Sequence, residues 1–189
     1  MLTESDYVSV READFDLSEE TRQLSQAAGD VGAIASFVGL VRRDAKPVVL
    51  EKGQSAQVDV VARGAMAAMA AGNIGAKQAN DAGAVTAMTL EHYPGMTEKA
   101  LAAIIVEARQ RWSVLACRVI HRVGKLLPGE QIVLVMVASG HRQAAFAACE
   151  FIMDYLKTQA PFWKREDTEQ GGRWVDARES DDLALERWR

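Results

Sequence analysis

The sequence predicts an α+β protein: an antiparallel or mixed sheet packed with helices, plus a small β element near the C-terminus. Three observations carry this. Runs with strand composition recur at residues 7–10, 31–43, 85–93, 117–123 and 131–138. Two segments, 97–112 and 141–157, carry apolar residues at helical spacing. Strands and helices alternate without a regular βαβ repeat, which argues against a parallel α/β sheet.

Taken in order, residues 7–10 alternate like a short strand. Residues 16–27 are polar with helical spacing, and Asp16 or Ser18 is a suitable cap. After the Gly29-Asp30 turn, VGAIASFVGLVRR has the small and β-branched residues of a buried strand, ending in charge at Arg42 and Arg43. Residues 44–87 differ in composition. Within them only 58–62 look like a strand, and glycines at 64, 72, 75 and 83 interrupt an alanine-rich passage. GNIGAK, inside it, lacks the strand and helix context of a phosphate-binding loop. An insertion over about 44–84 in a single domain spanning 1–189 is the expected organisation.

Regular structure returns at residues 85–93. Pro94-Gly95 turns the chain, and Thr97 is the expected cap of a helix with Leu101, Ile104, Ile105, Ala108 and Trp112 on one face. Strands at 117–123 and 131–138 flank Pro128-Gly129, which suits the centre of a type II turn, so the pair reads as a hairpin of core strands. A second helix, 141–157, points Ala145, Ala148, Cys149, Ile152 and Leu156 inward. Residues 162–167 and 173–176 can pair across Gln170-Gly171-Gly172, and Ser180 is placed to cap a short terminal helix.

Composition narrows the function. Of 189 residues, 49% are hydrophobic and 25% charged, and the net charge is −4. A nucleic-acid binder would show a basic excess, so none is expected as partner. No apolar run is long enough for a membrane span and the N-terminus has no apolar leader core, so a reducing cytoplasm is the expected setting. Cys117 and Cys149 form no CxxC and have no His at ligand spacing, so no metal site is expected; Cys149 reads as a buried small hydrophobe.

The candidate chemistry is therefore cationic. No Ser-His-Asp order, HExxH or Walker sequence is present. Phe151 to Glu166, reading FIMDYLKTQAPFWKRE, sets Lys157 and Lys164 on either side of a proline corner, with Phe162 and Trp163 to exclude water. Lys164 is expected to give up its proton most readily, because flanking aromatics and the neighbouring Lys157 and Arg165 disfavour its charge. Ser139-Gly140-His141-Arg142 joins a buried strand to a helix N-terminus. It is either an anion site, built from free N–H groups and two donors, or a capped helix with two exposed polar residues. Arg42 is likewise either an anion ligand or a solvated strand end. His121, alternating with Val119 and Val123, and His92 read as structural.

LEHYPGMTEKAL (residues 90–101), His121-Arg122-Val123-Gly124, SGHR (139–142), FIMDYLKTQAPFWKRE (151–166) and RWVDARES (173–180) together resemble the large, catalytic subunit of molybdopterin synthase, the MoaE family. The likeness covers nearly the whole chain except 44–84, which is longer than the family pattern. It implies an α/β-hammerhead-like fold and an enzyme, a sulfurtransferase of molybdenum cofactor biosynthesis that needs no cofactor. Such an enzyme converts cyclic pyranopterin monophosphate into molybdopterin. The two sulfurs come from the C-terminal Gly-Gly thiocarboxylate of a small ubiquitin-like sulfur-carrier subunit, in a heterotetramer built on a homodimer of the large chain.

By the same resemblance, Lys157 and Lys164 match the catalytic lysines. Phe37, Arg42, His141, Arg142, Arg165, Glu166 and Arg178 match positions that bind substrate or line its site, and Met153 matches a position near the partner-tail channel. Leu40 stands where some relatives carry a basic residue. The chemistry fits: a phosphorylated pterin needs a small cationic cup, a lysine can move protons or hold an oxyanion, and a thiocarboxylate is already an activated sulfur donor.

Arg142 and Lys157 lie fifteen positions apart on one predicted helix, so about 22 Å apart along its axis at about 1.5 Å per residue. A single pterin phosphate cannot reach both from one chain. The expectation is a dimer with composite sites, His141 and Arg142 from one protomer and the lysines from its partner. A competing reading, from another class, is a non-catalytic scaffold of the same fold with its pocket altered by the insertion.

Overall fold

The computed structural model describes residues 2–43, 84–169, 171–175 and 187–188. In chain order its elements are β1 (Tyr7–Arg11), α1 (Leu17–Ala27), β2 (Ala33–Leu40), β3 (Val85–His92), α2 (Met96–Arg111), β4 (Val114–Arg122), β5 (Gly124–Leu126), β6 (Gln131–Ser139), α3 (Arg142–Gln159), β7 (Phe162–Thr168) and β8 (Gly171–Val175). They form two four-stranded sheets, ordered β1-β4-β6-β2 and β5-β3-β7-β8. The β1–β4 pair is parallel and every other pairing is antiparallel. This is the mixed α+β architecture that the alternation of runs predicts.

β6 is apolar between Gln131 and Ser139 because both of its faces are covered. Along β6, Val133, Val135 and Val137 join Leu101, Ile104, Ile105 and Ala108 of α2 and Ala145, Ala148 and Ile152 of α3 in one apolar core. The intervening Leu134, Met136 and Ala138 join Phe15 and Leu24 of the α1 segment in a second. The period of two in a strand splits one run between two cores. In β4 the register shifts between Val114 and Ala116. As a result Val114 and Cys117, three apart, both face the first core.

Helix α3 is covered on more sides than α2. Phe151, fully buried, packs edge-on against Trp112 at 5.3 Å and Trp188 at 5.5 Å, and lies 4.2 Å from Tyr155. Trp188 is held there by its indole N–H donating to Asp154 at 2.8 Å, while Arg111 donates to its carbonyl oxygen at 2.7 Å. Below β1, the Asp6 carboxylate accepts a bidentate pair of bonds from Arg109 of α2 at 3.0 and 2.7 Å, tying the N-terminal strand to the helix.

Some predicted details change. The α2 cap is Gly95 (φ 79°), whose N–H donates to the Glu98 carboxylate at 2.6 Å; only glycine holds that conformation cheaply. Thr97, predicted as the cap, is instead fully buried, its hydroxyl within 3.1 Å of the Tyr93 carbonyl and 3.3 Å of the Pro161 carbonyl. β2 ends at Leu40, after a register shift at Gly39, rather than at Arg43. The β4–β6 hairpin forms as predicted, but its connection contains β5, which pairs with β3 in the other sheet. Gly129 has the positive φ (93°) that a type II turn needs. The β7–β8 hairpin pairs as predicted, with Glu166 opposite Arg173. The strand at 58–62, the insertion apart from Ala84, and the Ser180 helix lie outside the described residues.

Candidate active site

The proline corner places the two lysines on different elements. α3 runs through Lys157, which is exposed in its last turn. Ala160 then donates to Leu156 O at 3.4 Å and Phe162 donates to Ala160 O at 2.9 Å. That last bond brackets Pro161 in a three-residue turn that suits its fixed φ. The chain turns directly into β7.

Alternation along β7 sorts its residues. Opposite Phe162, Lys164 and Glu166 stand His92, Leu90 and Met88 of β3, and Leu90 and Met88 pack with Val41 and Leu126. This is the inner face of the sheet. Lys164 Nζ lies 2.8 Å from Glu166 Oε1, and Arg173 of β8 lies 3.0 Å from Glu166 Oε2. The Glu166 residue is 5% exposed. Burial alone would push its pKa up. The hydrogen bonds and charges of Lys164 and Arg173 outweigh that and hold the carboxyl below its ordinary range. The group facing Lys164 is thus a carboxylate, where the sequence suggested further cations. The reason is the strand period: Arg165, adjacent in sequence, points to the other face, and Glu166, two away, shares Lys164's side.

Phe162 is fixed from below. It stacks on His121 at 3.8 Å between ring centroids, and His121 is buried. His121 Nδ1 lies 2.9 Å from the Arg122 carbonyl oxygen. That oxygen can only accept, so Nδ1 carries the proton. Burial drives the pKa of His121 down to about 4, against a smaller opposing effect of that bond and with a small contribution from His92. The reading of His121 as a core histidine holds, and it lies under the strand that carries Lys164.

The other predicted residues are dispersed. Arg42 is exposed, and directly follows Val41, which is buried in the apolar floor beneath Lys164's strand. Phe37 is 41% exposed on β2. His141, in extended conformation, is the N-cap of α3 without a side-chain cap bond, and Arg142 opens the helix; both are exposed. The Ser139 hydroxyl donates to Ser113 O at 2.8 Å and accepts from the His141 backbone N–H at 3.4 Å. A Cβ on Gly32 would run into the Gly140 carbonyl oxygen, so Gly32 must stay bare for this turn to form.

α3 is continuous from Arg142 to Gln159. Its two cationic ends therefore stand about 22 Å apart within one chain. Arg165 lies on the outer face of β7, its Nε 3.3 Å from Asp167 Oδ1, so it does not share Lys164's surface. Met153 is buried in the core with α2. Arg178 lies outside the described residues. Arg173 was not singled out from sequence. The register of the predicted β7–β8 hairpin would have found it, because it stands opposite Glu166. Among the described residues no cluster of His, Cys, Asp and Glu has metal-binding geometry, and no helix is long and apolar enough to cross a membrane.

The fold and site thus define a class: an α+β protein that presents lysine and arginine side chains from a strand face and from both ends of a long helix. The chain belongs to the MoaE protein family, whose profile matches residues 47–159. It is 51% identical over 181 residues to the molybdopterin synthase catalytic subunit of Ralstonia nicotianae, covering 96% of this chain and 83% of that relative. With the subunit of the same name from Pseudomonas aeruginosa it shares 45% over 181 residues, 96% and 97% of the two chains. Among solved structures it resembles the molybdopterin biosynthesis MoaE protein from Burkholderia ambifaria, with a TM-score of 0.68 and 44% identity over 97% of each chain. The complex of subunits 1 and 2 of molybdopterin-converting factor from Helicobacter pylori shares the fold, with a TM-score of 0.58 at 17% identity over 91% of this chain and 90% of that one.

Proposed function

We propose that this chain is the catalytic subunit of a molybdopterin synthase. It converts cyclic pyranopterin monophosphate into molybdopterin, as a sulfurtransferase fed by the C-terminal thiocarboxylate of a small ubiquitin-like subunit. Family membership with relatives of that name supports the reaction. The observation that carries the site is the Lys164 ammonium, held 2.8 Å from a buried carboxylate on a strand face floored by Val41, Met88, Leu90 and Leu126. A lysine so placed can pass a proton to a developing oxyanion or thiolate, or stabilise it, at the moment sulfur is transferred.

In this reading Lys157 and Lys164 are the catalytic pair, and Arg42, His141, Arg142 and Arg178 bind the phosphate and pterin. Phe37 gives the pterin ring an apolar wall. Glu166 acts by orienting Lys164. Met153, being buried, shapes the partner-tail channel only through packing. Arg165 is given no part at Lys164, because its side chain leaves the other face. The continuous α3 supports composite sites in a homodimer, one protomer supplying His141 and Arg142 and its partner the lysines, with a small subunit on each. The chain acts as a single domain with an insertion near 44–84, and works in the cytoplasm, a setting suited to its two buried, unbridged cysteines.

The test is incubation with thiocarboxylated small subunit and the pterin precursor, following dithiolene product by mass spectrometry. Wild type should turn over. Lys164→Ala should nearly abolish product while still binding the small subunit, and Lys157→Ala should weaken it strongly. Bound partner without product in the wild type would point to a scaffold. Unchanged rates in both variants would remove the lysines from the chemistry.

A further inference from the structure

We propose that Arg173 is a positioning residue for Lys164, acting through the Glu166 carboxylate. The inference rests on the assignment of Lys164 to the chemistry. Glu166 divides its two oxygens: Oε1 meets Lys164 at 2.8 Å and Oε2 meets Arg173 at 3.0 Å. The two cations come from different strands, β7 and β8, and the register sets Arg173 directly opposite Glu166. The carboxylate can rotate about its terminal bond. A donor on each oxygen fixes that rotation, and with it where Lys164's Nζ stands.

Arg173 also sets how tightly Lys164 must hold its proton. A carboxylate this buried needs a counter-charge. With Arg173 present, the negative charge stays compensated when Lys164 hands its proton on. With Arg173 removed, Lys164 becomes the sole counter-ion and deprotonation leaves a buried carboxylate uncompensated. The remaining groups around this face do not replace Arg173. Met88 and Leu90 of β3, Val41, Leu126 of β5 and Ile132 of β6 are apolar. The nearest titratable groups at the Phe162 end are His121 of β4 and His92 of β3, the latter 3.8 Å from Glu98 of α2.

Arg173 is 46% exposed at its side chain, so the coupling belongs to the weaker class of ion pairs, about threefold to fivefold in an equilibrium or rate. The experiment measures two things on purified protein: wild type, Arg173→Gln, Arg173→Lys and Lys164→Ala. The first is the rate at which an amine-acylating reagent labels Lys164, from pH 7 to 10, read by peptide mass spectrometry against Lys157 as internal standard. Arg173→Gln should lower labelling of Lys164 by about threefold to fivefold at fixed pH, and Arg173→Lys should restore most of it. Equal labelling in wild type and Arg173→Gln overturns the inference. The second is sulfur transfer with the thiocarboxylated small subunit. There Arg173→Gln should lower kcat with little change in KM and move the rise in activity to higher pH. A change in KM alone also overturns it, since Arg173 would then be touching substrate. If labelling falls as expected but wild type makes no dithiolene, the coupling stands and the sulfur-transfer reading fails instead.

Discussion

Taking the protein from pH 7 to pH 4 asks His121 to accept a proton in a site closed to water. The ring is buried, stacked on Phe162, with Nδ1–H already given to the Arg122 carbonyl. Its pKa is about 4, against 6.5 for an accessible histidine. Between those values the unfolded chain binds a proton that the folded chain refuses, so stability rises with pH across that window and is lost as pH falls through it. At about 1.4 kcal/mol per unit, the loss by pH 4 is about 3 kcal/mol. Replacing the ring with one that cannot titrate isolates this. His121→Phe keeps the stack but leaves the Arg122 carbonyl without its donor, a cost of about 1 kcal/mol at every pH. The variant should therefore be less stable than wild type at pH 7 and more stable at pH 4, the two curves crossing at about pH 6. Asp6 and Glu166, whose carboxyls are held below their ordinary range, also lose stability in acid, but equally in both proteins. Urea denaturation followed by far-UV circular dichroism at half-unit steps of pH measures the difference. Parallel curves would refute the reasoning, since they would mean that His121 protonates in the folded protein as it does in the unfolded one.

Two further outcomes follow from packing. Phe151→Ala removes the ring that Trp112, Trp188 and Tyr155 surround, and should cost about 3–5 kcal/mol in chemical denaturation, among the largest single-residue losses in the protein. Gly32→Ala places a methyl against the Gly140 carbonyl, one residue before His141. It should cost about 1–3 kcal/mol and raise KM for the pterin precursor more than it lowers kcat, measured in the sulfur-transfer assay.

Periodicity carried the fold a long way. Val133, Val135 and Val137 alternate with Leu134, Met136 and Ala138, so β6 announces a strand buried on both sides, and the inner residues of α2 and α3 follow from helical spacing. What sequence spacing does not carry is which face of a strand meets which neighbour. Lys164, Arg165 and Glu166 are consecutive, and read in line they are a basic cluster with one acid. Folded, the acid joins the lysine and the arginine is sent to the other side. Nor could Thr97 be told from a cap: Ser and Thr favour caps, but here glycine took that place because the turn requires a positive φ. β5 escaped notice because three residues are too few to show a period.

The four tryptophans divide into two optical populations. Trp112 and Trp188 lie within the ring cluster around Phe151, whereas Trp163 and Trp174 stand half-exposed on the outer face of the β7–β8 hairpin. Emission from the first pair reports the integrity of the helical core. Emission from the second reports events on the strands that carry Lys164 and Arg173. A soluble quencher should extinguish the outer pair first, so one unlabelled sample can register partner docking and unfolding as separate signals.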